Sequence, residues 1–447
     1  MALTISQIVR QLKADVAKVL EPAAIFELCS RLKHAWRKRV LDPAATVHVF
    51  LLQILHGNVA CSAMPGLVDL SISATAYCAA RMRLPLKLFE ELLGQVCRGV
   101  SADLDEGRWH GHRTWTLDGS TFSMPDTRAL QAHFGQPTAQ APGCGFPTAH
   151  LLALFHAGTG LLLHAAASCW RTHDMQHAAQ THPAMGEGDV LVADRGLASY
   201  VHLVKLSLRK MHAVFRCHHA QIVSFRVGRK HTGQRKPAAG LPRSRYVKRL
   251  GTCDQVVEYS KPKNRPSWID AADYAALPET LLVRELRYKV KQRGSRTREV
   301  TLVTTLLDAE KYAALELANL YRRRWQIEIN FRHLKTTMKM EVLHCQTVDG
   351  VRKELCMFAV AYNLVRLAML EAAHRQKAPV ERISFIDALR WLREARPGQP
   401  MRKLMVNPDR PDRIEPRAIK RRPKPHKLIK KPREVLRKSL TVKSPAA

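Results

Sequence analysis

Two stretches of β-type sequence each carry an aspartate where a strand rarely tolerates one. "RTWTLDGSTFSM" (residues 113–124) alternates and is rich in β-branched side chains, which reads as a strand, with Asp118 in its middle. "GDVLVADRGLAS" (residues 188–199) holds a short buried-type strand, Val190 to Ala193, that ends at Asp194 and is followed by Arg195 and Gly196. Carboxylates in such places are costly unless they are paired or bound to a metal. The fold must therefore bring positive charge to these strands.

A third acid lies where that charge is densest. In "YRRRWQIEINFRHLK" (residues 321–335), Glu328 is the lone carboxylate among five Arg and Lys side chains. At about 100° per residue, Tyr321, Arg324, Glu328, Arg332 and Lys335 fall on one narrow helical face. Leu320, Ile327, Phe331, Leu334 and Met338 form an adjacent apolar stripe suited to packing on a sheet. The helix alone allows two outcomes. Glu328 can pair with Arg324 and Arg332 in an ordinary surface ladder. Alternatively, it can join Asp118 and Asp194, because three carboxylates offer hard oxygen ligands for two divalent cations. Two such metals about 4 Å apart activate a water or 3′-hydroxyl and stabilise the leaving oxygen of a phosphodiester.

The charge balance favours a polyanionic partner. Lys and Arg total 72 against 38 Asp and Glu, a net charge of +34. Such a field repels itself unless a polyanion neutralises it, and nucleic acid is the first candidate. A membrane surface is the weaker one, and no membrane span is expected. Lys13, Asp15 and Lys18 interrupt any signal-peptide core. The apolar run "HLLALFHAGTGLLLHAAAS" (residues 150–168) is broken by the turn signal "AGTG" and reads as two strands of a β-hairpin. The ten cysteines are scattered without a CxxC pair, which fits a reducing cytoplasm. His173, Asp174 and His177 in "THDMQH" have metal-binding chemistry but read as ordinary polar residues at a helix start.

With 447 residues, several units are expected. Residues 1–105 read as a helical, DNA-binding domain. "TISQIVRQLKADVAKVL" gives one apolar stripe (Ile5, Ile8, Val9, Leu12, Val16), Pro22 and Pro43 open helices, Asp42 is an N-cap, and "KHAWRKR" supplies basic charge around Trp36. Residues 106–218 read as the first part of a mixed α/β core. Residues 219–305 read as a β-rich insertion with a long exposed basic loop in "VGRKHTGQRKPAAGLPRSRYVKR". Residues 306–395 return to the core with three long helices, the first carrying Glu328. Residues 396–447 read as a basic tail too poor in apolar residues to build a core.

The spacing Y-x2-R-x3-E-x6-K of Tyr321, Arg324, Glu328 and Lys335, joined to "TLDGS" and "VLVADRG", resembles the insertion-sequence-four family of bacterial DDE transposases. The resemblance spans most of the chain and implies an RNase H-like (retroviral integrase superfamily) core with a mixed sheet. It implies that Asp118, Asp194 and Glu328 hold two Mg²⁺ ions, for which Mn²⁺ can substitute. It implies that Tyr321, Arg324 and Lys335 meet DNA phosphates, with Arg195 and Arg332 beside them. It further implies cleavage of double-stranded DNA at terminal inverted repeats, strand transfer to a target, and a homodimer acting in the bacterial cytoplasm on the nucleoid. A metal-dependent nuclease that cuts without joining, or a non-catalytic DNA-binding relative, would share these residues. Leu197 and Ala198 stand where many members have an aromatic residue. Trp268 lies far ahead of Glu328 as a counterpart of the tryptophan that some members use to hold a flipped base, and Trp325 is expected to pack beside the site.

Overall fold

The computed structural model describes residues 5–170, 172, 174–230, 241–290, 299–409 and 428–441. Nine strands form one sheet: β1 (Thr114–Ser123), β2 (Thr148–His156), β3 (Leu162–Cys169), β4 (Val190–Ala193), β5 (His212–Arg216), β6 (Arg243–Gly251), β7 (Asp254–Ser260), β8 (Thr280–Lys289) and β9 (Glu299–Thr304). Their spatial order is β3-β2-β1-β4-β5-β9-β8-β7-β6. β1, β4 and β5 run parallel, while β2 pairs antiparallel to β1, and β3 to β2. This is the mixed α/β, RNase H-like arrangement expected from the sequence. The β-hairpin read from "AGTG" is β2 and β3.

The strands of the β-rich segment 219–305 join the core sheet. β9 pairs antiparallel with β5, so β6 to β9 extend the core sheet outward. Arg243–Gly251, placed by sequence in the exposed basic loop, is the edge strand β6. Its side chains are mostly exposed and basic, a common protection for an edge. Residues 231–240 of that loop lie outside the described residues.

The period-two pattern of the central strands explains the two layers. Val190, Val192 and Val214 face one side and pack with Leu317, Leu320 and Tyr321 of the helix Ala314–Arg323. Leu191, Ala193, Ala213 and Phe215 face the other side, in the larger core with Leu203 and Leu206 of the helix Tyr200–Leu208. The helix Val348–Gln376 locks the β-hairpin in place. Asn363 accepts from the Leu162 N–H and donates to its carbonyl, both at 2.8 Å. Tyr362 donates its hydroxyl proton to the Gly160 carbonyl at 3.0 Å.

This helix alone among the described residues is long and apolar enough to cross a membrane, and 83% of its apolar window is buried within the fold. The N-terminal helices cover its other side. Lys353 donates to the Met82 carbonyl, and Asn58 donates to the buried Glu354 carboxylate, which also accepts from the N–H groups of His344 and Cys345.

Asp42 caps the helix Pro43–Leu55 by accepting from the Ala45 N–H at 2.8 Å, as its sequence suggests. The first apolar stripe is split, however, into Ile5–Arg10 and Ala14–Val19. Residues after 396 do not all leave the fold. Met401 and Leu404 are buried, and Arg402 pairs with Asp387 at 2.8 Å. Arg433–Thr441 forms a further helix. The start of "THDMQH" does open a helix, Asp174–Ala178, although His173 lies outside the described residues.

Candidate active site

The register of β1 against β4 brings the two aspartates together. Leu117 pairs with Ala193, so Asp118 and Asp194 follow side by side at the same level. Side chains alternate, so both point to the face covered by the helix Ala314–Arg323. In an open sheet, the crevice beyond the carboxyl ends of parallel strands is where ligands gather. Here that crevice is a hollow of about 320 Å³, lined by Asp118, Gly119, Asp194, Arg195, Gly196, Leu197, His218 and His219.

Each aspartate is steadied by a backbone N–H just after it in the chain. Asp118 accepts from the Gly119 N–H at 2.8 Å. Asp194 accepts from the Gly196 N–H at 3.0 Å and caps the short turn Arg195–Leu197, leaving Arg195 exposed. That turn rests on a buried pair of imidazoles. His202 Nδ1 lies 2.9 Å from the Leu197 carbonyl and so carries the proton it donates, and His182 and His202 meet through their Nε2 atoms at 3.0 Å. Burial holds His202 down to about 4, and burial together with its neighbour holds His182 down to about 3.

Arg324 sits between the acids. Its guanidinium lies 3.1 Å from the Asp118 carboxylate and 3.7 Å from that of Glu328, and its side chain is 12% exposed. It also lies over the Tyr321 ring at 5.6 Å. Glu328 is the most open of the three sites, with its side chain 43% exposed. Partial burial raises its pKa; Arg324 opposes this, and the charges of Asp118 and Asp194 add to it. The Arg324–Glu328 half of the expected ladder is present. No ion pair joins Glu328 to Arg332 among the described residues.

The helix that carries these groups departs from the ideal. It ends at Arg323, continues as Gln326–Arg332, and then widens into a π turn at His333–Thr337. At the junction, Arg324, Trp325, Ile327 and Glu328 donate to carbonyls three residues back, a tightened 3₁₀ path. A uniform 100° step therefore does not carry from Tyr321 to Lys335. Instead the residues grade from core to solvent. Tyr321 is buried under Arg324, Glu328 opens to solvent, Arg332 is exposed and Lys335 is half-buried on the π turn.

The apolar stripe is buried as expected, and Phe331 meets Phe155 of β2 edge-on with ring centroids 5.6 Å apart. Trp325 does not pack beside the site; it is 60% exposed. Trp268 is partly buried against the core.

Sequence reasoning missed His218 and His219. They follow β5, the parallel neighbour of β4, so the strand-end position of "FRCHH" was the available signal. His218 Nδ1 accepts from the Ala220 N–H at 3.2 Å, which leaves the proton on Nε2.

The three carboxylates are hard oxygen donors of the kind that magnesium and manganese take, and their mutual repulsion is what a cation would relieve. Their spacing is another matter. Among the described residues, no three His, Cys, Asp or Glu side chains converge closely enough to hold a metal ion, because the Arg324 guanidinium fills the space between Asp118 and Glu328. The donor set fits a divalent ion in chemistry, and Arg324 is the cation that Asp118 and Glu328 meet in this structure.

Paired aspartates at adjacent parallel strands, a helix-borne glutamate and a cationic helix on an RNase H-like sheet define a class of enzyme, the polynucleotidyl transferases. Comparison with known proteins narrows this. The family model of the transposase DDE domain matches residues 109–364, more than half of the chain. The chain belongs to that family, as a DDE transposase of the insertion-sequence-four type. It is 24% identical over 372 residues to the transposase InsG of insertion sequence element IS4 from Escherichia coli, covering 79% of this chain and 77% of that protein. It is 29% identical over 126 residues to the putative transposase y4zB of Sinorhizobium fredii, covering 28% of this chain and 33% of that one. A piggyBac transposase synaptic complex with hairpin DNA, solved by cryo-EM, aligns with a TM-score of 0.44 at 10% identity, covering 87% of this chain and 76% of that one. That last likeness is too loose to carry an argument.

Proposed function

We propose that this transposase cuts DNA at the terminal inverted repeats of an insertion sequence and joins the freed 3′-hydroxyl to target DNA, with Asp118, Asp194 and Glu328 as the catalytic triad. The observation that carries the reading is the register that sets Asp118 beside Asp194, with Glu328 reached through Arg324. The three carboxylates would hold two Mg²⁺ ions, which supply Lewis acidity at the reacting phosphate when bound.

The chain's own residues do the rest. Arg324, which lies against Asp118 and Glu328, would bind a phosphate oxygen of the DNA, and buried Tyr321 beneath it would position its guanidinium. Arg195 and Lys335 add phosphate contacts at the rim, and Arg332 contacts the flanking backbone. The enzyme would act as a homodimer that holds two element ends, in the cytoplasm on nucleoid DNA.

The test is a strand-transfer assay with a duplex bearing the element's ends, a supercoiled target and Mg²⁺. Products joined to the target are expected. Nicked ends without any joined product would leave only a nuclease.

A further inference from the structure

The basic run around Trp36 builds a site of its own, away from the hollow at Asp118. The helix Pro22–Arg31 stops at Leu32, and Lys33 takes a left-handed conformation with φ of 54°. The His34 N–H then bonds back to the Cys29 carbonyl at 2.9 Å, which closes the helix end. From His34 the chain runs without helix or strand to Lys38. It is pinned by Trp36, whose ring lies parallel to Phe26 at 5.6 Å between centroids and remains 38% exposed.

A hollow of about 380 Å³ opens beneath this strap. Arg37, Arg39 and His34 line it from the strap, and Arg83 lines it from the helix Ala74–Arg83. Its sole lining carboxylate, Asp42, is engaged as the cap of the helix Pro43–Leu55. Among the described residues, no acid pairs with Lys33, Arg37, Lys38, Arg39 or Arg83, whereas other basic groups nearby, such as Arg31 with Glu91, have partners. Three unneutralised arginines around one hollow, with Lys33 and Lys38 on the same strap, repel one another, and a phosphodiester chain relieves this while releasing its own counterions.

We infer that the strap Lys33–Arg39 with Arg83 is a DNA-backbone clamp: Arg37, Arg39 and Arg83 hold successive phosphates, and Trp36 packs on the sugar between them. The clamp is fixed to the segment that follows the Glu328 helix and to the long central helix. The helix that presents Arg83 also carries Arg81, which donates to the Cys345 sulfur at 2.9 Å, beyond Glu328 in the chain. Asn58, just past the helix whose start forms one wall, bonds Glu354 on the long central helix. The clamp therefore grips DNA at a constant offset from the hollow. It contributes affinity and register without reading base sequence.

The inference rests on DNA being the partner of this chain. Its test uses the full-length protein, a labelled duplex carrying an element end, a scrambled duplex of the same length, and salt between roughly 50 and 200 mM. The triple change Arg37→Gln, Arg39→Gln and Arg83→Gln should reduce the slope of log K against log salt by about 2 to 3, since each lost phosphate contact removes about 0.9. The loss should be equal on both duplexes. Trp36→Ala should weaken binding several-fold, and Trp36→Phe should restore most of it.

A charge-matched control, Lys18→Gln, Lys87→Gln and Lys210→Gln, changes residues that already have carboxylate partners and should keep the parent slope. An unchanged slope in the clamp variant, or an equal fall in the control, overturns the clamp. Absence of any duplex binding by the parent overturns the DNA reading itself, a distinct outcome. Circular dichroism and melting of each variant separate loss of contact from loss of fold.

Discussion

Arg324→Gln is the change that most sharply separates a structural ion pair from a metal-gating one. In the structure the guanidinium neutralises Asp118 at 3.1 Å and Glu328 at 3.7 Å. At an effective dielectric constant of about 20, a pair 3.1 Å apart attracts by about 5 kcal/mol. Desolvation of a guanidinium that is only 12% exposed offsets much of this. Loss of the cation should therefore destabilise the metal-free protein by a net of about 1–3 kcal/mol.

Magnesium should narrow the difference between the two proteins. An ion at a hundred times its dissociation constant stabilises the folded state by about 2.7 kcal/mol. In the variant no guanidinium has to leave, so its ion affinity should exceed that of the parent. Urea unfolding of both proteins, with and without saturating magnesium, should show a gap that is present without the ion and shrinks with it. A gap that stays the same in both conditions would refute the idea that Arg324 and the metal compete for one place.

Three further expectations follow from the packing. Asn363→Ala removes a buried side chain that satisfies both the N–H and the carbonyl of Leu162, so urea unfolding should show a loss of about 2–4 kcal/mol, and a loss under 1 kcal/mol would contradict the assignment. Phe331→Ala should cost about 3–5 kcal/mol and loosen the turn carrying Glu328, read as faster amide exchange there than in the parent. His182 and His202 have pKa values depressed to about 3 and about 4, below the unfolded value of 6.5, so the unfolded chain binds protons first as the pH falls. Stability is then full above pH 6.5 and declines below it by up to about 1.4 kcal/mol per pH unit for each imidazole. His182→Gln should flatten that decline, and an unchanged slope would show that the pair does not titrate as described.

The parts of this fold that the sequence made legible are those where one local rule dominates. Val190–Ala193 is a run of buried apolar residues ending in an acid, and the strand occupies those four positions. The β1 alternation and the turn in "AGTG" were equally local. The missed parts depend on tertiary choices. Arg243–Gly251 has no apolar face, because an edge strand needs none, so its composition resembled a loop. The kinked path from Arg324 to Lys335 comes from which carbonyl each N–H selects, and side-chain periodicity does not record that. His218 joins the hollow because β5 lies parallel to β4, a pairing between segments that sequence alone does not align. The aspartates were legible as unusual. That they stand one register step beyond Leu117 and Ala193 was not.

The central claim is that Asp118, Asp194 and Glu328 act together on a DNA phosphate. Its most direct test is magnesium-dependent cleavage of an end-bearing duplex by Asp118→Asn, Asp194→Asn and Glu328→Gln, measured beside duplex affinity. Each variant should keep its affinity within a few-fold and lose cleavage by at least about a hundredfold. Cleavage near the parent rate in any one of the three would remove that residue from the triad.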